Sequence, residues 1–180
     1  MAEVTRSFDL AAAPDAVWVV LADFGSISSW APNVDHSSLM SGQESGVGAV
    51  RRIQAGRITV VEQVTEWDEG TALGYRIEGL PPAIKSVTNT WRLRPSATGT
   101  KASVVTDVHI GPRPPQQLVA RGIAKRLGGV SDQMLTGLRD HVMSDQNAAP
   151  AAGLAPSATG SAAMRKPAWR LNARPEDCDA

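Results

Sequence analysis

Apolar positions along residues 14–34 first recur at helical spacing and then break at a corner. Val17, Leu21 and Phe24 fall three and four residues apart with Trp18 beside them, the stripe of a short amphipathic helix. Pro14 suits the first turn because it lacks an N–H that would go unpaired there, and Asp15 favours the positive helix end. Gly25 ends the helix, and a second brief turn delivers Trp30. Pro32 halts that turn and moves Ala31 out of the helical region, which anchors the Trp30 ring at a corner.

On either side of this stretch the pattern alternates. Residues 4–9, 38–41, 49–53, 58–67, 72–78, 84–94 and 102–110 read as seven strands separated by Gly, Pro, Ser or Asp-Glu turns. Turns this short favour antiparallel neighbours, and a sheet apolar on one face needs cover. The cover is a helix over 116–143, where Val119, Ile123, Leu127, Val130, Met134, Leu138 and Val142 form one stripe. The predicted class is α+β, with two short helices after the first strand. Gly122, Gly128, Gly129 and Gly137 each weaken the long helix by about 1 kcal/mol relative to Ala. They either leave room for a ligand beneath the helix or allow close backbone packing. Arg121, Lys125 and Arg126 lie off the stripe, as a solvated face or a contact for acidic lipid.

The order of these pieces is similar to a known family. A first strand, then Pro14-x-x-Val17-Trp18, Asp23-Phe24 and Trp30-x-Pro32, and later Glu66-Trp67-Asp68-Glu69-Gly70 and Leu73-Gly74-Tyr75-Arg76-Ile77, resemble the START-like (SRPBCC) helix-grip superfamily in its polyketide cyclase/dehydratase-like branch. The likeness covers about residues 3–143. It implies a helix-grip fold, a curved seven-stranded antiparallel sheet wrapped around the long C-terminal helix. The implied domain occupies 1–145.

Composition narrows the function classes. The 180 residues suffice for one domain of the usual ~100–150 residues and are too few for two. With 18 basic and 18 acidic side chains the net charge is zero, which argues against nucleic acid as a partner. The first residues hold no apolar signal core and no run approaches the ~20 apolar residues of a membrane span, so a cytoplasmic protein without stable membrane insertion is expected. The single cysteine, Cys178, has no partner for an internal disulfide. From 146 to 180 the chain is rich in Ala, Pro, Ser and Gly, then carries Arg165, Lys166, Arg170 and Arg174, and reads as a disordered tail. Trp169 in that tail is either inert or a small docking motif for a protein partner.

Candidate chemistry is sparse. The sequence has no H-E-x-x-H, G-x-S-x-G, phosphate-cradling loop or Cys cluster, and His36, His109 and His141 are too scattered for a metal site, so no metal or cofactor is implied. Asp107 and His109 share a strand face, and inside a cavity Asp107 would steer the imidazole as a base. Alternation instead puts Val104, Thr106, Val108 and Ile110 inside and that pair in solvent. The same logic turns Arg76 and Glu78 outward from Leu73, Tyr75 and Ile77. Glu62 is in phase with Val60 and Val64, which makes it the carboxylate to expect indoors, with a partner or a raised pKa.

Over 84–94 two registers compete. Val87, Asn89, Trp91 and Leu93 form one inward set; Ile84, Ser86, Thr88 and Thr90 form another. Lys85-Ser86-Val87-Thr88 resembles the corresponding strand of plant abscisic-acid receptors, a likeness that implies the serine phase lines the cavity. The loop Gly79-Leu80-Pro81-Pro82 is either a lip that places Leu80 on a ligand or a rigid turn.

The candidate ligand-binding residues are Phe24, Ile27, Trp30, Val34, Tyr75, Leu80, Asn89, Trp91, Val119, Ile123 and Leu127. Trp18 is assigned to the core, and Trp30 to either core or wall. An apolar set with few polar groups suits a hydrophobic small molecule such as a lipid, polyketide or aromatic metabolite, carried or sensed. An enzyme of the cyclase/dehydratase type is the alternative, with Glu62 or His109 taking a proton and Tyr75 or Asn89 polarising a carbonyl. A protein-interaction module with a filled core is the third reading.

Overall fold

A computed structural model describes residues 2–110 and 114–148. Seven strands form one antiparallel sheet: β1 (Ala2–Leu10), β2 (His36–Leu39), β3 (Val50–Ala55), β4 (Ile58–Asp68), β5 (Ala72–Glu78), β6 (Ser86–Ser96) and β7 (Gly99–His109). Their order is β1-β7-β6-β5-β4-β3-β2. Every neighbour from β2 to β7 is consecutive in the chain, as short turns dictate, and only β1 makes a long return to pair with β7. The helix α1 (Pro14–Ala22) and a 3₁₀ segment (Phe24–Ser29) fill the β1–β2 crossover, and α2 (Pro114–Ala148) lies across β1 and β7. This is the helix-grip fold, a curved open sheet around one long helix.

The element boundaries shift where hydrogen bonding overrides apolar pattern. β1 begins at Ala2 because Ala2 pairs with Val108, and β2 starts two residues earlier than its pattern because His36 pairs with Gln54. The helix α2 starts at Pro114, where a missing N–H has no cost. It continues past the last apolar position to Ala148, since its backbone ladder needs no apolar face. The tail expected from 146 therefore overlaps the last helical turn. Arg165, Lys166, Trp169, Arg170, Arg174 and Cys178 lie outside the described residues.

Phase within the strands decides what faces α2. A β-bulge between Val64 and Glu66 resets β4, so that Val64 lies opposite Tyr75 and Trp67 opposite Leu73. Trp67 meets Trp18 edge to face at 5.1 Å between ring centres, which docks α1 on the sheet and makes Trp18 a core residue. In β6 the buried set is Val87, Asn89, Trp91 and Leu93. This corrects the serine-phase register implied by the likeness to abscisic-acid receptors. Val87 pairs with Val108 and Trp91 with Val104 on the inner face, leaving Ser86, Thr88 and Thr90 on the other.

The buried stripe of α2 also differs from the apolar one in its first turns. Ala120 and Ala124 face the sheet, while Val119 is 56% exposed and Ile123 half-buried. Small alanines fit there because Ala2, Val87, Val108 and Ile110 come close beneath them. The glycines do not make room for a ligand. A side chain at Gly137 would enter the backbone of Trp30, one at Gly128 would meet the Arg6 guanidinium, and Gly122 and Gly129 face open space.

Candidate functional site

Between the inner face of the sheet and α2 lies a cavity of about 270 Å³. Its walls come from β3, β4, β5, β6, β7 and α2, with Ile27 supplied by the 3₁₀ segment and Asn33, Val34 and Leu80 by the loops between elements. The lining is mostly aliphatic. Val60, Ile77 and Val87 rise from the sheet, and Leu127, Val130 and Met134 descend from the helix. Ile58 also lies 63% exposed in the strand just after the β3–β4 turn.

Five of the nominated ligand-binding residues meet here: Ile27, Val34, Leu80, Asn89 and Leu127 line the cavity. Phe24, Trp30, Tyr75 and Trp91 are buried next to it but packed into one another. Trp30 meets Trp91 edge to face at 6.1 Å, and Phe24 tilts against Tyr75 at 6.0 Å. Those rings therefore back the cavity instead of lining it. Val119 points to solvent at the start of α2, and Ile123 packs with Val87 and Val108 in a second cluster, so neither is on the wall. His109 is exposed and Asp107 shares its outward face, away from the cavity. Arg76 and Glu78 likewise pair on the surface, at 2.7 Å.

Glu62 is the charged group on the wall. It is 5% exposed, and its neighbour across the β3–β4 ladder is Arg51, itself 3% exposed. Arg51 donates from Nε to the carboxylate oxygen Oε2 at 2.8 Å, and the ion pair closes to 2.6 Å between Nη2 and the same oxygen. Its Nη1 donates to the Phe24 carbonyl at 2.6 Å, and the guanidinium stacks 3.9 Å from the centre of the Phe24 ring. Burial raises the Glu62 pKa above its ordinary value of 4.5, and the Arg51 charge and hydrogen bond oppose that rise.

A polar ladder crosses the cavity from helix to sheet. Ser131 of α2 lies 3.4 Å from the Thr106 hydroxyl, Thr106 donates to Asn89 Oδ1 at 2.7 Å, and Asn89 Nδ2 reaches the Tyr75 oxygen at 3.4 Å. The Trp91 indole N–H also points at Tyr75, at 3.4 Å. Arg51, Thr106, Ser131 and Asn33 escaped nomination from the sequence. The only available signal for Arg51 was its phase with Ile53 on a strand facing Glu62.

Tyr75 is a neutral phenol in this setting. Burial, reinforced by the nearby Glu62 charge, pushes its pKa up to about 12. Because it is the chain's one tyrosine, a phenolate absorbance titration reads it directly. The expected result is no ionisation at pH 10, the ordinary value, with the transition near pH 12 or with unfolding. Between pH ~10 and about 12 the unfolded chain's phenol ionises while the folded one keeps its proton, so stability is at its full value below pH ~10 and falls by on the order of 3 kcal/mol across that window. A transition at the ordinary value in the folded protein would mean that Tyr75 is solvated.

Residues 1–143 match the family described as polyketide cyclase/dehydrase and lipid transport. Among solved structures, the Zhui aromatase/cyclase from Streptomyces sp. R1128 is similar at 18% identity and a TM-score of 0.66, over 85% of this chain and 99% of that one. The di-domain aromatase/cyclase BexL from the BE-7585A biosynthetic pathway is similar at 19% identity and a TM-score of 0.67, over 82% of this chain and 48% of that one. Ara h 8.0201 is similar at 17% identity and a TM-score of 0.63, over 79% and 98%. At these identities the likeness is one of fold. No curated protein matches the sequence. Among the described residues no helix is long and apolar enough to cross a membrane.

Proposed function

The chain belongs to the polyketide cyclase/dehydrase and lipid transport family, and from that membership we propose that it binds a hydrophobic small molecule between the sheet and α2, as a carrier or sensor. The supporting observation is the cavity itself, aliphatic on most sides and crossed by a few fixed polar groups. Such a lining rewards apolar area removed from water and uses its polar groups to orient the guest. Leu127 and Met134 face this space, which weighs against a filled-core interaction module.

A cyclase-type enzyme is the second reading, favoured by one observation. Glu62 is a buried carboxylate on the wall with its pKa raised toward working pH, the direction that suits a general base. Under that reading a bound poly-carbonyl chain would lose a proton to Glu62, and ring-closed product would accumulate with the wild-type protein and not with Glu62→Gln.

The binding reading is tested by titrating the uncharged fluorophore N-phenyl-1-naphthylamine, alongside native mass spectrometry of the purified protein. Saturable uptake of one molecule per chain is expected, with at least a ten-fold loss in Leu127→Trp, whose ring fills the cavity. A protein that is empty and takes up no probe, or a Leu127→Trp variant that takes it up unchanged, would overturn it.

A further inference from the structure

We infer that the guest of this cavity carries a hydrogen-bond donor, a hydroxyl or N–H, on an otherwise apolar body, and that Glu62 Oε1 receives it. The inference rests on the binding reading above and adds the chemical class of the ligand. The Arg51 hydrogen bond and the 2.6 Å ion-pair approach are both to Oε2, and among the described residues no hydrogen bond reaches Oε1. Glu62 lines the cavity whereas Arg51 does not, so the partnered oxygen faces the protein and the other belongs to the cavity side. An oxygen that opens onto a mostly aliphatic cavity has only water to serve it there, and a ligand that supplies a donor replaces that water with a charge-assisted hydrogen bond.

The rest of the wall agrees with that preference. Thr106 gives its one hydroxyl proton to Asn89, so it meets a guest as an acceptor. Val60, Ile77 and Val87 surround these groups with aliphatic surface, which leaves no counter-ion for a ligand carboxylate among the residues of the wall. A fatty acid entering head first would set one carboxylate against another. A phenol or alcohol would not.

Four naphthalenes of nearly equal size test this by calorimetry: 2-methylnaphthalene, 2-naphthol, 2-acetylnaphthalene and 2-naphthoate. The wild-type protein should hold 2-naphthol about ten-fold or more tighter than 2-methylnaphthalene, with 2-naphthoate weakest. In Glu62→Gln the Arg51 guanidinium will claim the amide oxygen and turn the amide N–H₂ to the cavity. The preference should then invert, 2-acetylnaphthalene over 2-naphthol, which a merely structural role for Glu62 would not produce. Should that variant not fold, the paired replacement Arg51→Met with Glu62→Leu should bring the naphthol-to-methylnaphthalene ratio to about one. Equal binding of naphthol and methylnaphthalene by the wild type would overturn the donor inference and leave the cavity reading standing. A naphthol preference that survives both variants, or a wild-type preference for the ketone, would overturn the role of Glu62. Binding of none of the four would overturn both.

Discussion

Replacing Glu62 alone with leucine is expected to destabilise the domain by about 3–5 kcal/mol, whereas replacing Arg51 and Glu62 together with methionine and leucine should fall close to the wild type. The difference follows from what each change leaves behind. With Glu62 gone the Arg51 guanidinium stays 3% exposed, with the Phe24 carbonyl and the Phe24 and Tyr75 rings as the neighbours that favour its charge. Those contacts do not replace a carboxylate at 2.6 Å. The double replacement removes both charges and both desolvation costs while filling the same volume with apolar atoms. Urea unfolding of the wild type, two single variants and the double variant yields the coupling energy directly. If Glu62→Leu and the double variant were equally unstable, the loss would be one of packing, and the ion pair would carry no special weight in the wall.

That pair also separates what the sequence reveals from what it conceals. The phase of Val60, Glu62 and Val64 is enough to place the carboxylate indoors, because alternation in a strand is a local property. Its partner is not local. Arg51 stands next to Arg52, and although its phase with Ile53 turns it inward, only the register of β3 against β4 sets it opposite Glu62. The same limit explains the wall. Phe24, Trp30, Tyr75 and Trp91 look like ligand contacts by size and polarity, yet large rings pack edge to face with each other and fill one end of the grip. The cavity opens instead where the inward positions are smaller, at Val60, Val87, Thr106 and Ser131. The strands, the long helix and the opening corner were legible because each is marked by periodicity or by Pro and Gly. Which side of α2 meets the sheet was legible from Leu127 to Val142 but not in its first turns, where Ala120 and Ala124 make the contact and offer no apolar contrast to read.

Gly137→Ala is expected to cost about 3 kcal/mol and to weaken ligand uptake as well, although it adds a single methyl and raises helix propensity. A Cβ at Gly137 would run into the Trp30 carbonyl and come within 2.6 Å of Pro32 Cδ. Neither can retreat. The Trp30 and Ala31 amides both donate to the Ile27 carbonyl, at 3.2 and 2.9 Å, and the Val34 amide donates to Ala31 at 3.0 Å, so the corner is fixed by its own backbone. The helix must move instead. Met134, Ser131 and Val130 lie one to two turns away along α2 and line the cavity, so displacement of the helix widens the wall where the guest is held. Gly129→Ala is the matched control in the same helix. Nothing lies within 4 Å of a Cβ there, so the propensity gain of about 1 kcal/mol should appear as increased stability with uptake unchanged. Urea midpoints and N-phenyl-1-naphthylamine titrations of the two variants should therefore diverge in sign for stability. Similar behaviour of both would mean that the approach of α2 to the Trp30 corner does not set the height of the cavity.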